Sequence, residues 1–269
     1  MQDPIVLGSA MLLTGCIAGV LAGLFGIGGG IVIVPVLEAV LGIVGVDPAI
    51  RMHVAVATSL ATIVPTSVSS ARAHHLRQSV DLEVVRHWAA FVLAGALAGS
   101  LVAAQLTSRV LALVFATLAL LVALKMLLWP GTRNLTADVP RGPLVPAIPF
   151  AIGGASSMMG IGGGTFSVMT LTLFGMPIHR AVGTAALFGL AISLPGTVGY
   201  VVAGWDDPRL PALSLGFVNV LGFALIAPAT WLTAPVGARI AHAFAPRTLG
   251  IAFGAFLVIA AARLFYRAL

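Results

Sequence analysis

Charge is what this chain has least of. Of its 269 residues only 8% are Asp, Glu, Lys or Arg, against 59% hydrophobic, and the mean hydropathy is +1.10. Soluble domains carry about 25% charged residues, so a water-soluble fold is excluded. Carboxylates are scarcest, eight in all, and no cluster of them lies inside an apolar run, which argues against a cation as cargo. The single cysteine excludes an internal disulfide and any cysteine-based metal framework. Leu13-Thr14-Gly15-Cys16 has the outline of a lipoprotein cleavage box. However, Met1-Gln2-Asp3-Pro4 supplies no positive leader and the apolar run continues past the cysteine. Cys16 is therefore read as a small buried residue. Signatures of catalysis are lacking too: no P-loop lysine follows a glycine run, and there is no HExxH and no nucleophile elbow. Neither an enzyme, nor a bound metal or other cofactor, nor an ATP-driven pump is expected.

What the chain has instead is a succession of apolar runs of roughly 20 residues, the signature of a polytopic all-α membrane protein. The runs do not alternate as barrel strands would. The formal net charge of +6 comes from 14 Lys and Arg lying mostly between those runs. Such a distribution reflects membrane topology rather than nucleic-acid binding.

Glycine is abundant and concentrated. Gly26-Ile27-Gly28-Gly29-Gly30 returns as Gly160-Ile161-Gly162-Gly163-Gly164. Consecutive glycines forgo packing and lose the most backbone freedom on ordering. Paired glycine-interrupted segments in two halves of a membrane chain point to a transporter's binding site. Other matches keep the same order: His179 to Thr184 with His53 to Thr58, Gly204-Trp205-Asp206 with Ser79-Val80-Asp81, Arg247-Thr248-Leu249 with Arg109-Val110-Leu111. They predict an internal duplication of about 130 residues: a first transmembrane repeat over 1–130, a connector over 131–143 rich in Pro, Gly and charge, and a second repeat over 144–269. Residues 5–44 would make about 60 Å of helix at about 1.5 Å per residue, too long for one crossing of a core of about 30 Å. Each glycine run is thus expected at the tip of a helical hairpin, followed by about three transmembrane helices. The repeats would then be inverted, with both termini outside. Segments are expected over 54–71, 88–104 and 110–129, with the polar stretch 72–87 as a loop.

The candidate site is derived from these hairpins. Amides of Gly28, Gly29, Gly30 and Ile31, and of Gly162, Gly163, Gly164 and Thr165, would open outgoing half-helices, whose unpaired N–H groups and positive dipole ends attract anions. Close crossing of helices is the plainer use of such glycines. Thr58 and Ser59, with Thr184 in the second half, would add hydroxyl donors, or else serve as helix caps. Arg72, continuing the third segment, is expected to reach inward. His53 and His179, paired by the duplication, and Glu38, the one carboxylate well inside an apolar segment, are candidates for coupling to a proton. Interfacial anchoring is the alternative for each.

These motifs together are recognisable. Gly26-Ile-Gly-Gly-Gly30 with Val34-Pro35, Ala55-Val-Ala-Thr58-Ser59, then a histidine and Val80-Asp81, resemble the sulfite exporter TauE/SafE family of membrane permeases. The likeness covers nearly the whole chain, and the second half repeats it with Ala181-Val-Gly-Thr184. It implies an inner (plasma) membrane permease for sulfite, sulfoacetate or related organosulfonates, with export the better-known direction. The second half departs from the pattern: Ser167-Val168-Met169 stands where Val-Pro is expected, and Ala185 follows Thr184. The expected partners are the small anion, the lipid bilayer and a second copy of the chain in a homodimer, with no nucleic acid. A channel-like facilitator for another anion or a small neutral sulfur compound, and a non-transporting membrane scaffold, are the rival readings.

Overall fold

The computed structural model describes residues 4–25, 29–128, 146–241 and 246–268. Ten helices run through them. The first five are α1 (Pro4–Phe25), α2 (Gly30–Ile43), α3 (Arg51–Leu76), α4 (Leu82–Gln105) and α5 (Ser108–Leu128). The second five are α6 (Ala147–Met158), α7 (Gly164–Leu173), α8 (Ile178–Ala203), α9 (Val220–Ala241) and α10 (Pro246–Ala268). A two-residue hairpin, β1 (Ser214–Leu215) with β2 (Val218–Asn219), precedes α9. Five of the helices are long and apolar enough to cross a membrane. The chain is an all-α polytopic membrane protein. The connector expected at 131–143 lies outside the described residues.

The stretch 72–87 is not a loop. Its first five residues extend α3 to Leu76, and α4 begins already at Leu82. The reason is Asp81, whose carboxylate accepts the amides of Glu83 and Val84 and caps α4 at its start. The chain turns between the two helices at Gln78, which takes a left-handed φ of 53°.

Close contacts fix the direction of each helix. Trp88 stacks on Phe188 (6.1 Å) while Ser100 packs on Gly199, so α4 and α8 run parallel. Leu60 lies at Gly196 and Ser67 at Gly189, so α3 and α8 run antiparallel. Gly95 meets Phe150 and Gly99 meets Gly154, so α6 runs with α4, and therefore with α8. Between them α7 starts beside Gly189 and Ile192 and descends toward the beginning of α8. Residues 159–163 thus turn the chain back on itself, as a hairpin tip. In the first half α2 likewise descends against α3, with Gly30 at Ile63 and Gly42 at Arg51. Three helices of 21 residues or more follow α2 and three follow α7; α2, α6 and α7 are the short ones, with 14, 12 and 10 residues. The helices holding third place in their halves, α3 and α8, lie antiparallel side by side.

Small residues carry this packing. A Cβ on Gly95 would strike the carbonyl of Phe150, and one on Gly153 that of Val92, so α4 and α6 touch backbone to backbone. Gly15 and Gly19 do the same for α1 against α9, where Gly8 lies at Leu221 and Leu225 and the two helices run parallel. Close backbone approach is how helices associate where lipid offers no hydrophobic drive. Large side chains fill the interior between these contacts: Trp88, Phe115, Phe188, Tyr200 and Phe253 are fully buried.

Candidate functional site

Gly26, Ile27 and Gly28 lie outside the described residues. The chain immediately after them meets the second glycine run directly. A Cβ on Gly30 would lie 2.7 Å from the carbonyl oxygen of Gly160 and 2.9 Å from Cα of Ile161. Gly160 in turn faces Val34 and Val56, and Gly162 faces Ile63. The two tips therefore touch beside the middle of α3. On the other side, Gly162 and Gly163 reach Gly189 and Ile192 of α8. Gly160 (φ 68°) and Gly163 (φ 61°) hold left-handed backbone, which an L side chain adopts only at a cost of roughly 1–2 kcal/mol. Ser59, fully buried, donates to the Gly160 carbonyl at 2.8 Å and fastens the second tip to α3.

Helices α2 and α7 both start at these tips, and neither start is capped by a side chain. The first amides of a helix have no acceptor of their own. In α2 the Gly29 carbonyl accepts from Val32 and Ile33. In α7 the Gly162 carbonyl accepts from Gly164 (2.6 Å) and the Gly163 carbonyl from Ser167, which leaves Thr165 as the candidate amide there. Gly30, Ile31, Gly164 and Thr165 thus sit at two positive helix ends brought together.

Three further residues belong here that the sequence reading passed over. Ser156, Ser167 and Ser193 are fully buried, and their hydroxyls have no hydrogen-bond partner among the described residues. The carbonyl of Ser156 accepts from Ile161, the amide of Ser167 bonds Gly163, and Ser193 comes directly after the isoleucine packed on Gly163. For Ser156 and Ser167, the spacing of one turn on either side of the second glycine run was the available signal.

The hydroxyls of Thr58 and Thr184 both act as acceptors in the fold. The hydroxyl of Thr58 accepts the amide of Asn219 (3.0 Å), and that of Thr184 accepts the amide of Asp81 (2.9 Å). Asp81 caps α4, and Asn219 Oδ1 accepts the amide of Gly222 in the first turn of α9. Each threonine thus holds the start of a helix from the opposite half. Valine at either position removes the acceptor, and should lower stability by about 1–3 kcal/mol by stranding an amide. That would appear as a fall in melting temperature of several degrees. Unchanged melting with ligand binding lost would return these hydroxyls to the site.

Residues 11–264 match the family model described as Sulfite exporter TauE/SafE. The chain belongs to that family. A relative from Haemophilus influenzae, named "Probable membrane transporter protein", is 36% identical over 95% of this chain and 97% of its own length. The Bacillus subtilis relative "Probable membrane transporter protein YunE" is 26% identical over 95% of this chain and 96% of its own. A third, from Methanocaldococcus jannaschii, is 24% identical over 92% and 91%. No solved structure matches the chain. As a TauE/SafE protein it is a multi-pass membrane transporter and not an enzyme.

In this TauE/SafE chain the residue that meets a threonine as Asp81 does is not the Asp206 that the sequence matched to it. That residue is Asn219. Gly216 repeats the left-handed φ of Gln78, 53° in both, at the same distance before the cap. The spacing from Asp81 to Asn219 is 138 residues, that of Arg109 to Arg247. The loop after α8, which contains Trp205-Asp206, is longer than the one after α3. In that loop Arg209 donates to Asp207 and holds its carboxyl below the usual carboxylate range. A lowered acid stabilises at neutral pH and ceases to on acidification through its pKa, a small effect where the partner, Arg209, is exposed.

The remaining candidates are not brought together. Arg72 is exposed near the far end of α3 and does not reach inward. His179 is exposed at the start of α8, whereas His53 is buried. His53 Nε2 lies 3.2 Å from the carbonyl of Ala103 and 3.0 Å from that of Leu106, and closes the end of α4. Its ring stacks on Phe217, and Nδ1 has no partner among the described residues. Glu38 is buried among arginines of α3 and α10.

Proposed function

We propose that this protein is a secondary transporter that exports a small sulfur oxyanion, sulfite or an organosulfonate such as sulfoacetate, across the inner membrane by alternating access. The observation that carries the reading is the contact of the two glycine tips between α3 and α8. Two uncapped helix starts meet there. Three buried hydroxyls without partners among the described residues lie on residues bonded to the second tip (Ser156, Ser167) or next to the isoleucine packed on it (Ser193). A small oxyanion supplies acceptors for such groups. The antiparallel α3 and α8 favour two repeats of inverted topology, an arrangement in which one half rocks against the other around a shared site. Any proton step belongs to His53, the one coupling candidate with a buried ring nitrogen left over.

The test is the melting temperature of the purified protein in detergent with sulfite, sulfoacetate, taurine, sulfate or chloride. A ligand of the folded state at 100 times its dissociation constant adds about 2.7 kcal/mol. One sulfur oxyanion should raise the melting temperature. Ser167→Ala and Ser193→Ala should lose that rise while melting no earlier without ligand, because their hydroxyls have no partner among the described residues. No shift with any anion at millimolar concentration would favour a facilitator of neutral sulfur compounds or a scaffold.

A further inference from the structure

Three arginines converge on the single carboxylate of Glu38. Arg267 Nη1 lies 2.8 Å from Oε1, Arg263 Nη2 lies 3.4 Å from Oε2, and Arg51 Nη1 lies 3.8 Å from Oε1. Arg267 and Arg51 approach one another across Gly42, where a Cβ would stand 2.9 Å and 3.0 Å from a nitrogen of each. Arg51 spends two further donors on the Val46 carbonyl. Among the described residues Arg263 and Arg267 make one hydrogen bond each, to the Pro35 carbonyl and to Glu38, although a guanidinium carries five N–H groups. Asp47, the next carboxylate, bonds the amide of Ala49. Counting both carboxylates, the group still carries surplus positive charge and unused donors.

The surplus opens to one side. The side chains of Arg263 and Arg267 are 36% and 38% exposed, that of Arg51 14%. Ile259, Arg263 and Arg267 recur at intervals of four and so share one face of α10. Ile259 is 68% exposed, and Ile43, beside Gly42 at the end of α2, is 83% exposed. An apolar outer stripe therefore leads up to the guanidinium groups near one end of the helices. Its complement is an amphiphile: hydrocarbon beside the isoleucines, and an anionic head at the arginines. A phosphate suits the planar guanidinium fork, and basic pockets between transmembrane helices bind such heads. We propose that Arg51, Arg263 and Arg267 hold the phosphate of a net-anionic phospholipid, with an acyl chain along Ile259 and Ile43.

The experiment compares delipidated protein in neutral detergent with phosphatidylglycerol, phosphatidylcholine or inorganic phosphate added. Phosphatidylglycerol should raise the melting temperature by several degrees, and the other two should not. Arg263→Gln should remove at least half of that rise and Arg263→Lys less, while the shift produced by the transported anion stays unchanged in both. Equal rises with the two lipids, or a phosphatidylglycerol rise that survives Arg263→Gln, would overturn the proposal. So would an Arg263-dependent rise with inorganic phosphate alone, which would mark a site for soluble oxyanions. Should the variants not fold, native mass spectrometry of the unaltered protein decides: retention of phosphatidylglycerol over phosphatidylcholine supports the site, and equal retention overturns it.

Discussion

Alanine in place of Gly30 should abolish anion binding and transport, the largest functional effect expected from adding one methyl group to this chain. The new Cβ would stand 2.7 Å from the Gly160 carbonyl oxygen and 2.9 Å from Ile161 Cα. Both are backbone atoms of the opposite tip, so no rotamer change relieves the clash. Ile63 Cδ1, at 2.6 Å, can swing away; the tip must move. Overpacking of this kind costs about 1–3 kcal/mol, and the displacement separates the two helix starts. Gly250→Ala is the control, since its Cβ would meet only Met126 Cε at 4.0 Å within a helix. It should leave transport intact and stabilise by roughly 0.5–1 kcal/mol. Counterflow in proteoliposomes and melting in detergent read both quantities. A Gly30→Ala protein with full counterflow would show that transport does not need the tips in contact.

The features legible in the sequence were those that repeat or that lie close together along the chain. The second glycine run was legible as the turn between α6 and α7, and the repetition of that run pointed to the segment that Gly30 meets. The partners of Thr58 and Thr184 were not legible, because the amide that Thr58 accepts belongs to Asn219, 161 residues away. Asp81 shows the opposite case. Its role as a cap depends only on the next three residues, and a cap read there would have turned the end of the expected polar loop, 82–87, into helix. The likeness of Asn219 to Asp81 was hidden by the longer loop that carries Trp205-Asp206. Charges at segment ends read as interfacial anchors one at a time. Only the fold shows that Arg51, Arg263 and Arg267 share one carboxylate, since two of them lie more than two hundred residues from the third.

Glu38→Ala decides between the two roles open to the most deeply placed carboxylate. As a proton carrier, Glu38 would be replaceable without harm to the fold, and its loss would flatten the pH dependence of transport. The geometry argues otherwise. Its side chain is 8% exposed, Arg267 is hydrogen-bonded to it at 2.8 Å, and two further guanidinium groups lie within 4 Å. Removing one partner of a buried ion pair costs about 3–5 kcal/mol, because the charge left behind stays desolvated. Here the arginines are partly exposed and recover some hydration, which puts the expected loss near the lower end, about 3 kcal/mol. Glu38→Gln keeps an acceptor for Arg267 but not the charge, so it should fall between Glu38→Ala and the unaltered protein. Both variants should therefore melt earlier, and more so at low salt, where the three like charges are less screened. Melting unchanged in Glu38→Gln, together with pH-independent transport, would return Glu38 to the proton pathway.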